Sequence, residues 1–223
     1  MIRSKFHPPR DVAIGLAAVL LFAWFAWLAS QGAPPDFDIA GRDAIHAYAR
    51  PWLTLVMQAA SLAGGGWGLW PVGVLIAGLL ARAGRGREAA VFAVAVLGAN
   101  FVNEGMKLFF HRPRPEPWFG YPEPPTYSFP SGHSFVSFCF FLCLAEILMR
   151  HGWPLWGKVA IWSAALGCTL TIGLSRVYLG VHYPTDVLGG YAAGIVWTML
   201  IRLARHVWQA RTAGAEKVEA TRG

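Results

Sequence analysis

Six apolar stretches, each close to the length of a membrane-crossing helix, dominate the hydrophobic pattern of the chain. A transmembrane helix needs about 20 mostly apolar residues. The predicted spans are residues 12–30, 66–82, 88–110, 133–150, 157–175 and 185–205. The first follows basic residues, as a signal peptide would, but its apolar run is too long and lacks a good cleavage site. We expect an all-α, polytopic membrane protein: a single domain over residues 1–223, with a six-helix bundle and a cytoplasmic tail at 206–223.

A seventh apolar stretch, residues 51–63, is too short to cross a bilayer. Charged residues lie just upstream, at Asp36, Asp38, Arg42, Asp43 and Arg50. Residues 36–63 are therefore predicted to form an amphipathic segment that lies at the membrane interface. The run Gly64-Gly65-Gly66 would act as its hinge to the second span.

Composition narrows the class of protein further. The 223 residues are 55% hydrophobic and 14% charged, with a mean hydropathy of +0.42. Soluble domains carry about 25% charged residues, so an ordinary soluble protein is excluded, and three cysteines are too few for a disulfide scaffold. The net charge of +7 is spread in short clusters between apolar runs, so nucleic acid is not an expected partner. The expected partners are the bilayer and a lipid substrate, and the oligomeric state is left open.

Lysine and arginine are divided unevenly between two sets of loops, which predicts the orientation. The richer set includes both termini and holds Arg3, Lys5, Arg10, Arg82, Arg85, Arg87, Arg150, Lys158, Arg202, Arg205, Arg211, Lys217 and Arg222. The poorer set holds Arg42, Arg50, Lys107, Arg112, Arg114 and Arg176. We therefore expect a cytoplasmic-membrane protein with both termini in the cytoplasm and with residues 30–65, 111–132 and 176–184 facing outward.

The first outward cluster of polar residues lies around residues 107–133, which hold seven of the 15 prolines. Proline stiffens the backbone and stops helices, so this segment is predicted to be a braced loop. Lys107 lies at the end of the third span, where a charge is costly and typical of function, although it could also snorkel to the interface. Arg114 follows on the loop. Two converging cations suit an anion with several oxygens.

The second and third clusters each begin a predicted helix. Ser131 is a suitable N-cap for the fourth span, and the free amides of Gly132 and His133 would form an anion site, or simply a capped helix end. Asp186 lies in the first turn of the sixth span and can reach back to His182. Such a pair leaves the other ring nitrogen free as a base or nucleophile. Taken alone, the same pattern also fits an interfacial histidine beside a capping aspartate.

Together the three clusters match phosphoryl transfer without a metal or cofactor. The transferred group bears negative charge on three oxygens, so catalysis depends on positioning and on positive charge. Lys107, Arg114 and Arg176 would replace the usual magnesium ion. One histidine would attack phosphorus while the other protonates the leaving oxygen.

Three motifs carry a family resemblance: Lys107-x6-Arg114-Pro115, Pro130-Ser131-Gly132-His133, and Ser175-Arg176-x5-His182-x3-Asp186. In order and spacing they resemble the type 2 phosphatidic acid phosphatase family. The resemblance implies that His182 is the nucleophile that forms a phosphohistidine, oriented by Asp186, and that His133 is the general acid. The phosphate pocket that it implies consists of Lys107, Arg114, Ser131, Gly132 and Arg176. Glu104 is a candidate charge partner for the pocket, and Arg112 is a candidate further phosphate contact.

The expected activity is therefore hydrolysis of a lipid phosphate or pyrophosphate on the extracytoplasmic side. Undecaprenyl pyrophosphate, phosphatidylglycerol phosphate, phosphatidic acid and lipid A are all candidate substrates, and the outward site favours undecaprenyl pyrophosphate or lipid A slightly. The motifs do not separate a phosphatase from a lipid-to-lipid phosphotransferase. Two weaker alternatives are a vanadium haloperoxidase, a soluble class at odds with six spans, and a non-catalytic phospholipid binder or transporter.

Overall fold

The computed structural model of the chain describes residues 8–220, and over that range it consists of eight helices joined by loops. The helices are α1 (Pro8–Ala29), α2 (Asp36–His46), α3 (Pro51–Gly64), α4 (Gly66–Arg82), α5 (Gly86–Phe110), α6 (Gly132–Leu148), α7 (Leu155–Tyr178) and α8 (Pro184–Ala220). The described residues contain no strand. The predicted all-helical fold class is confirmed.

Four helices are long and apolar enough to cross a membrane: α1, α5, α7 and α8, the last over Pro184–Trp208. The helices α3 and α4 pass the same test together, as a pair bent by 46°. Helix α6 is apolar but has 17 residues, a rise of about 25 Å at 1.5 Å per residue. The chain is thus a multi-pass membrane protein with four or five spans by length and composition, and the count of six stays a prediction.

The structure differs from the predicted pattern in two places. Residues 36–63 form two helices, not one segment, because Pro51 starts a new helix after the turn at 47–50. Asp38, expected on a charged interfacial face, is fully buried because it pairs with Arg112. Helix α8 continues to Ala220, past the predicted span end at 205. Residues 1–7 and 221–223, which include some of the basic residues used for orientation, lie outside the described part.

The predicted glycine hinge does separate two helices, since α3 ends at Gly64 and α4 begins at Gly66. Gly64 also allows close packing, because a Cβ there would collide with Ile172 on α7. Helix α6 lies at the centre of the bundle, against α5, α7 and α8, while α1 packs on α8. At Gly194, a Cβ would collide with Phe138, so glycine permits the close approach of α8 to α6.

Candidate active site

Four helix ends meet at one end of the bundle and bring the three motifs together. The backbone amide of Ser131, before α6, donates to the carbonyl oxygen of Asp186 in α8 at 3.0 Å. The Trp118 amide, in the proline-rich loop, donates to the carbonyl of Leu179, just after α7, also at 3.0 Å. These contacts fix the loop across the ends of α5, α6, α7 and α8.

His182 and Asp186 lie one turn apart at the start of α8. Pro184 occupies the first helical position, as predicted. The Nδ1 atom of His182 is 3.2 Å from Asp186 Oδ2, which also accepts the Tyr183 backbone amide at 2.9 Å. An ionised carboxylate only accepts hydrogen bonds, so this contact favours the tautomer protonated on Nδ1 and leaves Nε2 unprotonated, with its lone pair directed away from Asp186.

The Nε2 atom of His182 faces Arg114, and Arg114 shares a hydrogen-bond partner with Lys107. Arg114 Nη1 lies 3.0 Å from Nε2 and donates to the Val181 carbonyl at 2.9 Å. The hydroxyl of Thr126 accepts from Arg114 Nη2 at 3.1 Å and from Lys107 Nζ at 3.0 Å. Lys107 is 8% exposed, so its ammonium group does not snorkel to the surface. The ammonium group of Lys107 and the guanidinium of Arg114 therefore both lie within hydrogen-bond distance of the Thr126 hydroxyl oxygen.

The third predicted cation, Arg176, lies in the last turn of α7 and is 2% exposed. Its Nη1 atom donates to the Tyr121 hydroxyl at 3.2 Å and to the Ser61 hydroxyl on α3. Its buried Nε has no hydrogen-bond partner within residues 8–220. The Nε2 atom of His133 lies 3.2 Å from the Ser61 carbonyl, so Ser61 connects the Arg176 guanidinium with the second histidine.

The start of α6 provides backbone amides. Ser131 occupies the predicted N-cap position, but its side chain makes no capping hydrogen bond. Its hydroxyl instead accepts from Ser134 Oγ at 3.2 Å. The Phe135 amide donates to the Ser131 carbonyl. The amides that come before Phe135 in the first turn of α6 have no acceptor within the helix itself. A Cβ on Gly132 would lie 2.8 Å from Asn103 Nδ2, so the Asn103 amide also borders this helix end.

The two residues predicted to support the site have different surroundings. Glu104 pairs with Lys107, with 3.1 Å between Oε1 and Nζ, as expected of a charge partner. Arg112 is directed elsewhere than predicted. Its guanidinium is engaged by two buried carboxylates, with Nη1 2.5 Å from Asp186 Oδ1 and Nη2 2.8 Å from Asp38 Oδ2. Both terminal nitrogens of Arg112 therefore face buried carboxylates, one of which is Asp186.

Charge and burial favour a neutral His182 at pH 7. Burial, followed by the positive charges of Arg114, Arg176 and Lys107, lowers the pKa of His182 well below its ordinary value. Burial and the neighbouring Arg176 lower the pKa of Arg114 to about 10, so this guanidinium stays charged at neutral pH. The site thus combines a neutral imidazole with fixed positive charge.

The arrangement suits a tetrahedral oxyanion held by side chains. Within the described residues, no three His, Cys, Asp or Glu side chains are grouped to hold a metal ion. The positive charges of Arg114, Arg176 and Lys107 all act on His182. An arginine guanidinium can bind two oxygens of one phosphate at the same time. Chemically, such a site can bind a phosphoryl group and present an imidazole nitrogen to it.

Four residues of this arrangement were missed by the sequence analysis: Asp38, Ser61, Tyr121 and Thr126. Their partners are distant in the chain, by 115 residues for Ser61 and 55 for Tyr121. No local spacing rule connects such pairs. The one available signal was a polar residue in an apolar stretch, which Ser61 is in the sequence of α3.

Comparisons with known proteins agree with this geometry. Residues 88–210 match the family model described as the PAP2 superfamily. The chain is 32% identical over 191 residues to phosphatidylglycerophosphatase B of Bacillus subtilis, covering 82% of this chain and 92% of that protein. It is 37% identical over 73 residues to lipid A 1-phosphatase of Rhizobium johnstonii, covering 33% of this chain and 26% of that protein.

A solved structure is similar over most of the fold. It is the crystal structure of a transmembrane PAP2 type phosphatidylglycerolphosphate phosphatase from Bacillus subtilis. The TM-score is 0.76 and the identity 28%, over 86% of this chain and 96% of that one.

Proposed function

Because the chain belongs to the PAP2 superfamily and is a lipid phosphatase, we propose that it hydrolyses phosphatidylglycerol phosphate through a phosphohistidine formed on His182. One observation carries the proposal: Nδ1 of His182 lies 3.2 Å from Asp186 Oδ2, while Nε2 lies 3.0 Å from Arg114 Nη1. A histidine held in that way is a nucleophile aimed at whatever anion the cations bind.

In the proposed first step, Lys107, Arg114, Arg176 and the amides at the start of α6, including that of Gly132, bind the phosphoryl oxygens. The Nε2 lone pair attacks phosphorus, and the bond from phosphorus to the lipid oxygen breaks. His133 gives its proton to the leaving oxygen. The carboxylate of Asp186 stabilises the positive charge that develops on the ring.

In the proposed second step, water attacks the phosphohistidine while His133 takes a proton from that water. The bond between nitrogen and phosphorus breaks, and inorganic phosphate leaves. No metal ion is required, because three cationic side chains balance the charge of the transferred group. Glu104 keeps Lys107 in place by their 3.1 Å ion pair, and the backbone amide of Ser131 connects the start of α6 with Asp186.

The choice of substrate rests on how much of this chain is covered by its similarity to each relative. Similarity to the Bacillus subtilis phosphatidylglycerophosphatase covers 82% of this chain and therefore extends beyond the three motifs. Similarity to the lipid A 1-phosphatase covers 33% of it. We propose that residues outside the motifs hold the lipid portion of the substrate, so the longer similarity favours phosphatidylglycerol phosphate over the other three candidate lipids.

For the topology we propose six spans in the cytoplasmic membrane, with the bent α3–α4 pair counted as one, both termini in the cytoplasm and the site outside. The distribution of basic residues supports this orientation. Thiol labelling of intact cells tests it at two exposed loop positions, Glu123→Cys near the site and Ala83→Cys at the other end of the bundle. A membrane-impermeant reagent should label the first. Labelling of the second alone would reverse the orientation.

The activity is tested by phosphate release from the detergent-purified protein with EDTA present, across the four candidate lipids and a soluble phosphate ester. We expect the highest kcat/KM with phosphatidylglycerol phosphate and complete loss in His182→Ala. The variant should still bind vanadate, because the cations remain. A tenfold preference for another lipid would overturn the substrate proposal. Release only after metal addition would overturn the mechanism, and phosphate transfer only to an added lipid acceptor would identify a phosphotransferase.

A further inference from the structure

We propose that Asp38 is a positioning residue for this reaction: it holds Arg112 against Asp186 and so fixes the carboxylate that orients His182. The inference rests on the proposed function, and it assigns a role to a residue of α2, which lies outside all three motifs.

The contacts form a continuous buried chain. Asp38 is fully buried and Arg112 is 5% exposed. Asp38 Oδ2 lies 2.8 Å from Arg112 Nη2, and Arg112 Nη1 lies 2.5 Å from Asp186 Oδ1. Asp38 also accepts the Thr185 amide at 2.9 Å and the Thr185 hydroxyl at 2.6 Å. Asp38 therefore fixes both the arginine and the first turn of α8, which bears Asp186.

These contacts leave the Asp186 carboxylate a single orientation. Its Oδ1 atom is held by Arg112, and its Oδ2 atom accepts from Tyr183 and contacts His182. Rotation of the carboxylate would break hydrogen bonds on both oxygens at once, each to a buried partner. Buried ion pairs often add little net stability compared with apolar side chains. The arrangement is better explained by the need for one carboxylate orientation.

The charge of Asp38 matters as well as its geometry. Asp38, Arg112 and Asp186 together carry a net charge of −1, so the ring cation that forms when His182 attacks faces a net negative group. Replacing Asp38 with asparagine makes that net charge zero. The ring cation is then less stabilised in the transition state, whereas the phosphate-binding cations are unaltered. The effect should therefore fall on kcat and leave KM nearly unchanged.

Replacing Asp38 with asparagine should also shift the pH dependence of kcat/KM. The charged and titratable groups around His182 come from every neighbouring element: Asp38 on α2, Lys107 on α5, Arg112 and Arg114 on the loop, His133 on α6, Arg176 on α7 and Asp186 on α8. Removing the negative charge of Asp38 makes protonation of the ring harder. The acid limb of kcat/KM should then move to lower pH, which a purely structural role would not produce.

The test compares Asp38→Asn with Asp36→Asn, an exposed aspartate in the same first turn of α2. In purified protein with phosphatidylglycerol phosphate, Asp38→Asn should lower kcat about 10- to 100-fold, the range for one charge-assisted contact. KM should stay within about threefold, and the acid limb should move to lower pH. Asp36→Asn should match the wild type. Wild-type kcat in Asp38→Asn, or a loss of activity that follows the loss of folded protein with an unmoved acid limb, would overturn the proposal.

A second variant covers the case in which Asp38→Asn does not fold. Combining Asp38→Asn with Arg112→Gln removes one negative and one positive charge, so Asp186 keeps the net charge of −1 that the three residues carry in the wild type. It should show a lowered kcat, because Asp186 loses its restraint, with an acid limb near that of the wild type. Wild-type kcat in this folded double variant would overturn the proposal. Activity remaining in His182→Ala would instead mean that the proposed function itself fails.

Discussion

The substitution Asp186→Asn tests the tautomer on which the mechanism depends. The asparagine amide has one accepting oxygen and one donating NH2 group, where the carboxylate has two accepting oxygens. With its oxygen towards Arg112, its NH2 group faces His182 Nδ1. With the reverse orientation, the NH2 group would sit about 2.5 Å from the Arg112 guanidinium, two donors facing each other. The first orientation also turns the NH2 group towards the Tyr183 amide, 2.9 Å from that position, but this donor is neutral and more distant than the guanidinium. The first orientation is therefore favoured, and His182 then carries its proton on Nε2, the atom that must attack.

The expected loss follows from two contributions. Restoring the reactive tautomer leaves a buried hydrogen bond unmade, which costs about 1–3 kcal/mol. The ring cation also loses a charge-assisted hydrogen bond worth about 1.5–3 kcal/mol. Together they amount to about 2.5–6 kcal/mol, which corresponds to a fall of about 10²- to 10⁴-fold in kcat at 1.36 kcal/mol per decade.

The assay measures kcat on phosphatidylglycerol phosphate, the inhibition constant of vanadate and the melting temperature Tm of the detergent-purified variant. Asp43→Asn, an exposed aspartate on α2, is the matched control and should be unchanged. Vanadate inhibition should be nearly retained in Asp186→Asn, because no phosphate-binding cation is removed. A kcat within threefold of the wild type at equal Tm would refute the reasoning, as would a loss of vanadate binding equal to the loss in kcat.

Three further predictions concern packing and charge. Gly132→Ala should lower kcat/KM about tenfold, since the added Cβ would lie 2.8 Å from Asn103 Nδ2. Adding Asn103→Ala should recover part of this loss, and a double variant with no recovery would contradict the proposed contact. Gly64→Ala should destabilise the protein by about 1–3 kcal/mol, because the added Cβ would collide with Ile172 where α3 packs on α7. Thermal unfolding measures this loss, and adding Ile172→Ala to the same chain should restore Tm. In wild-type protein the acid limb of kcat/KM should lie below pH 6.5, because burial and nearby cations lower the pKa of the attacking histidine. Arg114→Gln should move the acid limb to higher pH, and an unmoved limb would contradict the electrostatic account.

The motif residues could be predicted because each has a local signal. Lys107 ends an apolar span, Gly132 precedes another, and Asp186 follows a proline that starts a helix. Helix ends on the same side of a membrane bring such residues to one place. The structure then places Lys107 and Arg114 on one hydroxyl and Asp186 against His182. Span limits were harder to predict, because apolar composition does not determine where a helix such as α8 stops.

The remaining parts of the site depend on tertiary contacts. Asp38 was interpreted as an interfacial charge, since nothing near it in sequence indicates a partner 147 residues away at Thr185. Arg112 and Arg114 both precede a proline in the same loop, and spacing favoured Arg114 for the phosphate. Only the structure shows that Arg112 contacts two buried carboxylates. An ion pair between distant segments leaves no periodic or spacing pattern in the sequence.

The central claim is that the phosphoryl group is transferred to His182. The most direct measurement is a rapid-quench experiment with ³²P-labelled phosphatidylglycerol phosphate and EDTA, stopped in alkali, where phosphohistidine is stable. The account predicts protein-bound label in the wild type that maps to the peptide containing His182 and is absent from His182→Ala. A burst of dephosphorylated lipid without protein-bound label, or label that persists in His182→Ala, would contradict it.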